Sequence, residues 1–371
     1  MNKNKLIVVG AFPDDNNIIY GGILKSCSII KNSSIVNNFT LITIDSTQIS
    51  NPPPNILIRS LLAIKRFVLF TYKLISEKPN LALIFTSDGF SAIEKGLMCS
   101  IASFLNCNVI IFPRAGNLIS QTKNSKLMKF LIKNLFISAR IFLCQGDKWK
   151  DFAIDELGFQ SSDVKIINNW TATKELLALG ANRNFDHNKS INLLFVGWLE
   201  EFKGVHELLE VARDLLEEGY VFNLTFAGDG HSSKKAKIFI KDNNLSNNIH
   251  LCGWVNETQL KELLSKNDIF ILPSWAEGLP NSMIEAMSAG LSIIVSDVGV
   301  ISDFIKNGET GLLIEPRNMQ SLRNAIIDLL EDKDLRKKIA INGHTLAKNT
   351  FSSEIGIERL LSVLEEINDK K

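Results

Sequence analysis

Unbroken apolar runs recur along this chain, and a longer segment of helical character follows most of them. KLIVVG, FTLITID, LALIFT, NVIIFP, RIFLC and VKII appear in the first half; INLLFVG, FNLTFAG, NIHLCG, DIFILP and LSIIVSD in the second. A strand with one wet face alternates apolar and polar residues. A strand buried on both faces does not, and such strands belong to parallel sheets with helices above and below. The crossovers fit this. In GVHELLEVARDLLEEGY, Val205, Leu208, Leu209, Ala212, Leu215 and Leu216 fall on one helical face, and Gly219 stands where a C-terminal cap is needed. The expected class is α/β, with two doubly wound Rossmann-like domains.

A length of 371 residues, 45% of them hydrophobic, suits two domains with separate cores. Residues 168–190 are polar and weakly patterned, so the junction is placed there. That gives a first domain at 1–172 and a second at 190–350. A last helix, about 353–371, is expected to fold back onto one of them, here assigned to the first. Residues 1–170 hold 19 basic and 11 acidic residues, a net +8, while the remainder is net −7. The first domain is therefore the one expected to meet an anionic partner. Nucleic acid fits poorly, because the second half offers no continuous basic track. Cys27, Cys99, Cys107, Cys144 and Cys252 are odd in number and lack C-x-x-C spacing, which argues against a disulfide framework or a zinc site and for a reducing, cytoplasmic setting. The N-terminus runs straight into a strand without a signal-type core, and no apolar run is long enough to span a bilayer.

Ligands of doubly wound sheets bind beyond the carboxyl ends of the strands, so the informative residues follow strands. After the first strand comes Gly21-Gly22 and then a helix; glycine admits close backbone approach, and a helix start offers N–H groups to an anion. The spacing is not that of a dinucleotide fingerprint. In LLFVGWLEEFKGVHELL the strand ends at Gly197, and Lys203-Gly204 precede the next helix, where an ammonium can reach a phosphate. The stretch SWAEGLPNSMIEAMSAGLSIIVSD is the most specific. Gly278 permits a tight turn, Pro280 suits a helix start, and the amides of Leu279, Pro280's successors Asn281 and Ser282, and Met283 favour a diphosphate. Glu277 before the helix and Glu285 within it can each accept hydrogen bonds from paired hydroxyls. A sugar joined to a nucleoside by a diphosphate presents that combination.

These residues resemble family 4 of the retaining glycosyltransferases, which have the two-domain GT-B fold. FVGWLEEFKGVHELL, LTFAGDGHSSK, IHLCGWVNETQLKELLSKNDIFILPSWAEGLPNSMIEAMSAGLSIIVSDVG and FIKNGETGLLIEP match in order, covering most of 191–330. The resemblance implies that Glu277 holds the donor sugar beside its anomeric carbon and that Glu285 binds ribose. It implies that Lys203 and Gly22 approach the diphosphate, and that backbone at Trp254 and Val255 meets the base. It also implies that no metal is needed; the only D-x-D triplet, Asp332-Lys333-Asp334, sits at a helix boundary. The chain departs from the pattern twice. Trp198 stands where the family usually has arginine, which removes a bidentate grip on the diphosphate. Arg114-Ala115-Gly116 stands where many members have a histidine, and Arg114 is assigned to an anion, either the diphosphate or an acceptor phosphate.

The expected function is retaining transfer of a sugar from a nucleotide-diphosphate sugar to a hydroxyl of a glycan or lipid-linked glycan, in bacterial surface polysaccharide synthesis. No cofactor besides the donor is expected. Lys123, Lys126, Lys129 and Lys133 are spaced as one helical face beside Leu127, Phe130, Leu131 and Leu135, and residues 59–78 are likewise basic and apolar. Both suggest peripheral contact with an anionic membrane at its inner face. Two other classes remain open at this stage: a catalytically silent nucleotide-sugar-binding subunit, favoured by Trp198, and a GT-B epimerase, which needs additional acid/base residues.

Overall fold

The computed structural model describes residues 3–13, 22–47, 54–185 and 190–369. It divides into two compact units: one up to Trp170 together with the chain from Glu354 on, the other from Thr171 to Ser353.

The first unit is a parallel six-stranded sheet. Its strands are β1 (Asn4–Gly10), β2 (Phe39–Asp45), β3 (Leu81–Thr86), β4 (Asn108–Pro113), β5 (Ile141–Cys144) and β6 (Val164–Ile166), in the order β2-β1-β3-β4-β5-β6. Leu6 to Val9 and Leu81 to Ile84 are wholly inaccessible, which is why these segments read as continuous apolar runs. Helices α1 (Gly22–Lys31), α2 (Ile56–Glu77), α3 (Gly89–Phe104) and α4 (Lys126–Phe136) serve as crossovers. The C-terminal helix Ser353–Asp369 belongs to this sheet: Ile357, Leu360, Leu364 and Ile367 share a buried cluster with Leu6, Val8, Phe85, Phe112 and Trp170.

One expectation fails in this unit. The four lysines from Lys123 to Lys133 do not form a single helical face. The chain breaks at Ser125, which ends the helix Asn117–Asn124 in an extended conformation and caps α4, its Oγ accepting from Met128 N at 3.2 Å. A serine followed by an apolar helix is a capping signal, and here it outranked the spacing of the lysines.

The second unit holds β7 (Ile191–Val196), β8 (Phe222–Ala227), β9 (Ile249–Gly253), β10 (Ile269–Leu272), β11 (Ser292–Ser296) and β12 (Leu312–Ile314). Their order, β12-β11-β10-β7-β8-β9, is again all parallel and reverses direction between β7 and β10. At such a switch point the loops after the two strands diverge to opposite faces and leave a crevice at the carboxyl edge.

The domain boundary also needs correction. Residues 171–185 are not a junction ahead of a domain starting at 190; they are built into the second unit. Thr173 caps α5 (Lys174–Ala181), which buries Leu176. Beyond it, Arg183 donates to the carbonyl oxygens of Leu264 (3.1 Å), Ala289 (3.0 Å) and Asn267, with Asp268 at 3.8 Å. One guanidinium thus satisfies several chain ends at once. This form of docking leaves no apolar periodicity to read.

Candidate active site

Two loops meet at the switch point of the second sheet. After β7 the chain runs through Gly197 and Trp198 to a short 3-10 turn, Glu201–Lys203, and into α6 (Val205–Glu217). Gly204, with φ +70°, makes that entry, and a Cβ there would lie 2.2 Å from the carbonyl oxygen of Pro273 at the end of β10. Only glycine lets the loops approach this closely. Trp275 N then donates to Phe202 O at 2.7 Å, which locks the second loop onto the first.

This contact places Lys203 Nζ 2.5 Å from Glu277 Oε1, and Ser274 Oγ donates to the same oxygen at 2.8 Å. The Lys203 and Glu277 side chains are 15% and 11% exposed, so the pair is largely withdrawn from water yet reachable. Behind Glu277 the chain is held by the loop after β11. Gly299, with φ +61°, packs so tightly that a Cβ would fall 2.2 Å from Glu277 O. Gly278, Leu279 and Pro280 are buried, and α7 (Asn281–Ser288) starts immediately. Its first intrahelical bond is Ile284 N to Pro280 O, so the amides of Asn281, Ser282 and Met283 precede the ladder. Glu285, one turn in, is 8% exposed.

The two tryptophans singled out in the sequence lie together. Trp198 follows β7 and Trp254 follows β9, and their rings meet edge to face, centroids 4.6 Å apart at 75°. Both rings are half-buried, as is Val255. The next residue, Asn256, caps the following helix in a reciprocal box with Gln259. Asp332 of the D-x-D triplet is likewise a helix cap, accepting from Leu335 N at 2.8 Å.

Ser274, Glu207, Trp275 and Arg317 are additions that the sequence reading missed. Trp275 Nε1 donates to Glu207 Oε1 at 2.8 Å, and the Arg317 guanidinium stacks 4.1 Å from the Trp275 ring. Arg317 does so from a left-handed backbone, φ +63°, which is unusual for a non-glycine residue. Trp275 lies inside the stretch that drew attention; nothing in the sequence marks Arg317.

The remaining expected residues belong to the first unit. Gly22 opens α1 and is exposed, while Gly21 lies outside the described residues. Arg114 follows β4, and its guanidinium is enclosed rather than presented to solvent. It lies 4.9 Å from the Phe112 ring, 5.4 Å from Trp170 and 5.8 Å from Phe85. Its Nη2 donates to Ser26 Oγ of α1 at 3.0 Å, and Nη1 is buried with no hydrogen-bond partner among the described residues. Burial pushes its pKa down to about 10. Among the described residues no carboxylate pairs with it, and the aromatic faces do part of that work.

Residues 182–345 match the family of glycosyl transferases group 1. Over its whole length the chain superposes on sucrose-phosphate synthase from Thermosynechococcus elongatus, with a TM-score of 0.81 at 15% identity and full coverage of both chains. The architecture is therefore that of the GT-B glycosyltransferases. An uncharacterized glycosyltransferase of Methanocaldococcus jannaschii is 27% identical over 337 residues, 89% of this chain and 90% of that protein. The UDP-Gal:alpha-D-GlcNAc-diphosphoundecaprenol alpha-1,3-galactosyltransferase of Escherichia coli is 26% identical over 314 residues, 78% of each chain. The family match lies wholly within the second unit, and both relatives that the chain resembles over most of its length are named as glycosyltransferases. Among the described residues, no helix is long and apolar enough to cross a membrane.

Proposed function

We propose that this protein transfers a sugar from a nucleotide-diphosphate sugar to a hydroxyl of a glycan or lipid-linked glycan, with retention at the anomeric carbon and without a metal ion. The setting is synthesis of a bacterial surface polysaccharide, in keeping with the E. coli relative, whose acceptor is a diphosphoundecaprenol-linked sugar. The observation that carries the reading is the Lys203–Glu277 pair at the switch point, beside the start of α7.

As the bond to the sugar breaks, negative charge grows on the leaving diphosphate. The Lys203 ammonium and the first amides of α7 stabilise that charge more than they stabilise the bound donor, which is what lowers the barrier. Among the described residues Lys203 and Ser274 both donate to Glu277 Oε1, so Oε2 is the oxygen assigned to sugar hydroxyls. The negative carboxylate also favours a cation-like sugar. Glu285 is assigned to ribose, and Trp198 and Trp254 to the base, with backbone at Val255. Gly22 offers exposed backbone at a helix start, suited to an anion. Arg114 acts as a positioning residue: it touches α1 through Ser26 and places a poorly solvated positive charge beneath that helix.

The test is transfer itself. Supplied with a nucleotide-diphosphate sugar and a lipid-diphosphate glycan acceptor, the protein should give a product whose new linkage, by proton NMR, has the donor's anomeric configuration. The rate should be unchanged by a chelator. An inverted product, or activity abolished by the chelator and restored by a divalent metal, contradicts the mechanism.

A further inference from the structure

The outer surface of the first unit is unusual in one place. Leu57, Leu61, Ile64, Val68, Tyr72 and Ile75 of α2 are each 60–72% exposed. Their steps of three and four residues make one stripe along the helix. The stripe spans a 22-residue helix, about 33 Å at 1.5 Å per residue. On its inner side α2 buries only Phe70 and Leu74, so it shows water more large apolar side chains than it gives the core. The feature continues across the layer. α3 packs between α2 and α4, with Phe90, Leu97 and Phe104 exposed on α3 and Leu127 and Phe130 on α4. A contiguous apolar face of this kind marks a partner or a membrane.

The charge on this face selects between those occupants. α2 carries Arg59, Lys65, Arg66 and Lys73 against a single acid, Glu77, and α4 carries Lys126, Lys129 and Lys133 with no acid. The acid within α3, Glu94, is consumed by Arg66 (2.8 Å) and Lys95 (2.8 Å). Lys129 of α4 is paired with Glu156 and Lys73 with Glu77, but a second copy of this chain docking through α2 would still set Arg59 and Lys65 of one copy against those of the other. An anionic bilayer is complementary in both respects, taking the apolar stripe into its acyl boundary and the lysines at its headgroups. A cavity of about 540 Å³ also opens between α2 and α3, walled by Ala63, Phe67, Phe90 and Leu97 with Arg59 and Arg66. Its lining includes Ser46 and Thr47 after β2 and Ser87 after β3, the carboxyl edge of the sheet.

We propose that α2, with the adjoining outer faces of α3 and α4, seats the protein on an anionic phospholipid bilayer, and that the α2–α3 cavity receives a hydrocarbon chain from it. This deepens the reading of a lipid-linked acceptor and rests on it for its purpose, but it is tested without sugar transfer. The full chain is sedimented with vesicles of phosphatidylglycerol and phosphatidylcholine in equal parts, or of phosphatidylcholine alone. Binding should require the anionic lipid and weaken with salt. The double variant Leu61→Glu/Val68→Glu, at exposed positions, should bind about tenfold or more weakly, with its melting temperature and nucleotide affinity unchanged. Wild-type protein that ignores anionic vesicles overturns the proposal, as does a double variant that binds them as wild type does. A concentration-dependent dimer abolished by the same double variant also overturns it, in favour of a second copy. Unchanged nucleotide affinity separates any of these results from failure of the donor site.

Discussion

Lys203→Ala should lower kcat/KM by about a hundredfold to a thousandfold, most of it in kcat. That is the scale on which single donors to a developing oxyanion act, and the ammonium is assigned to charge that appears only as the sugar departs. The variant also disturbs the resting protein. Glu277, only 11% exposed, loses its counter-ion and keeps Ser274 as its remaining side-chain donor. A cost of about 1–3 kcal/mol is expected from leaving such a group underbonded. Activity loss could then be mistaken for partial unfolding, and a second substitution separates the two. Lys203→Ala/Glu277→Gln removes the stranded charge and should recover most of the stability while recovering none of the activity. Calorimetric unfolding and steady-state rates on the two variants read both effects. If the double variant regains turnover along with stability, neither Lys203 nor Glu277 acts in transfer and the pair is structural only.

Gly204→Ala is expected to cost both stability and activity. Alanine at φ +70° pays a backbone penalty of about 1–2 kcal/mol, and here the added Cβ would sit 2.2 Å from the Pro273 carbonyl oxygen. Because that atom belongs to the backbone at the end of β10, relief requires the two switch-point loops to separate. Separation carries Lys203 away from Glu277 and strains the Trp275 N–Phe202 O bond. Gly219 supplies the control, since its φ is +98° but an added Cβ meets nothing within 4 Å. Gly219→Ala should therefore cost stability alone, while Gly204→Ala costs stability and activity together. Equal melting temperatures and equal rates for the two variants would show that the loop contact plays no part in positioning the lysine.

Much of the architecture was legible because parallel strands buried on both faces have nothing polar to alternate with. LALIFT and SIIVS could hardly be anything else. The stretch assigned to the candidate site drew attention because a glycine and a proline stand between two carboxylates directly after a buried strand. What escaped the reading depended on partners distant in sequence. Arg183 closes chain ends at Leu264, Asn267 and Ala289, and no local pattern announces that. The enclosure of Arg114 is assembled from β3, β4, α1 and Trp170, so a residue expected to face an anion turned out to be packed beneath a helix. Arg317 over Trp275 needed the chain beyond β10 and the chain beyond β12, two strands apart in the sheet, to be brought together before it could be seen. The Ser125 break was different, since its capping signal stood in the sequence and was overruled by lysine spacing.

The central claim is that the second unit binds a nucleotide-diphosphate sugar at the switch point. It is tested most directly by calorimetric titration of the wild-type protein with a panel of nucleoside diphosphates, alongside Glu285→Ala. The account predicts that one nucleotide binds, and that the variant binds it about tenfold or more weakly, the scale of one lost charge-assisted hydrogen bond. If no nucleotide binds the wild-type protein, the fold has been kept without the donor site, Trp198 marks where it was lost, and the transfer mechanism set out above is wrong.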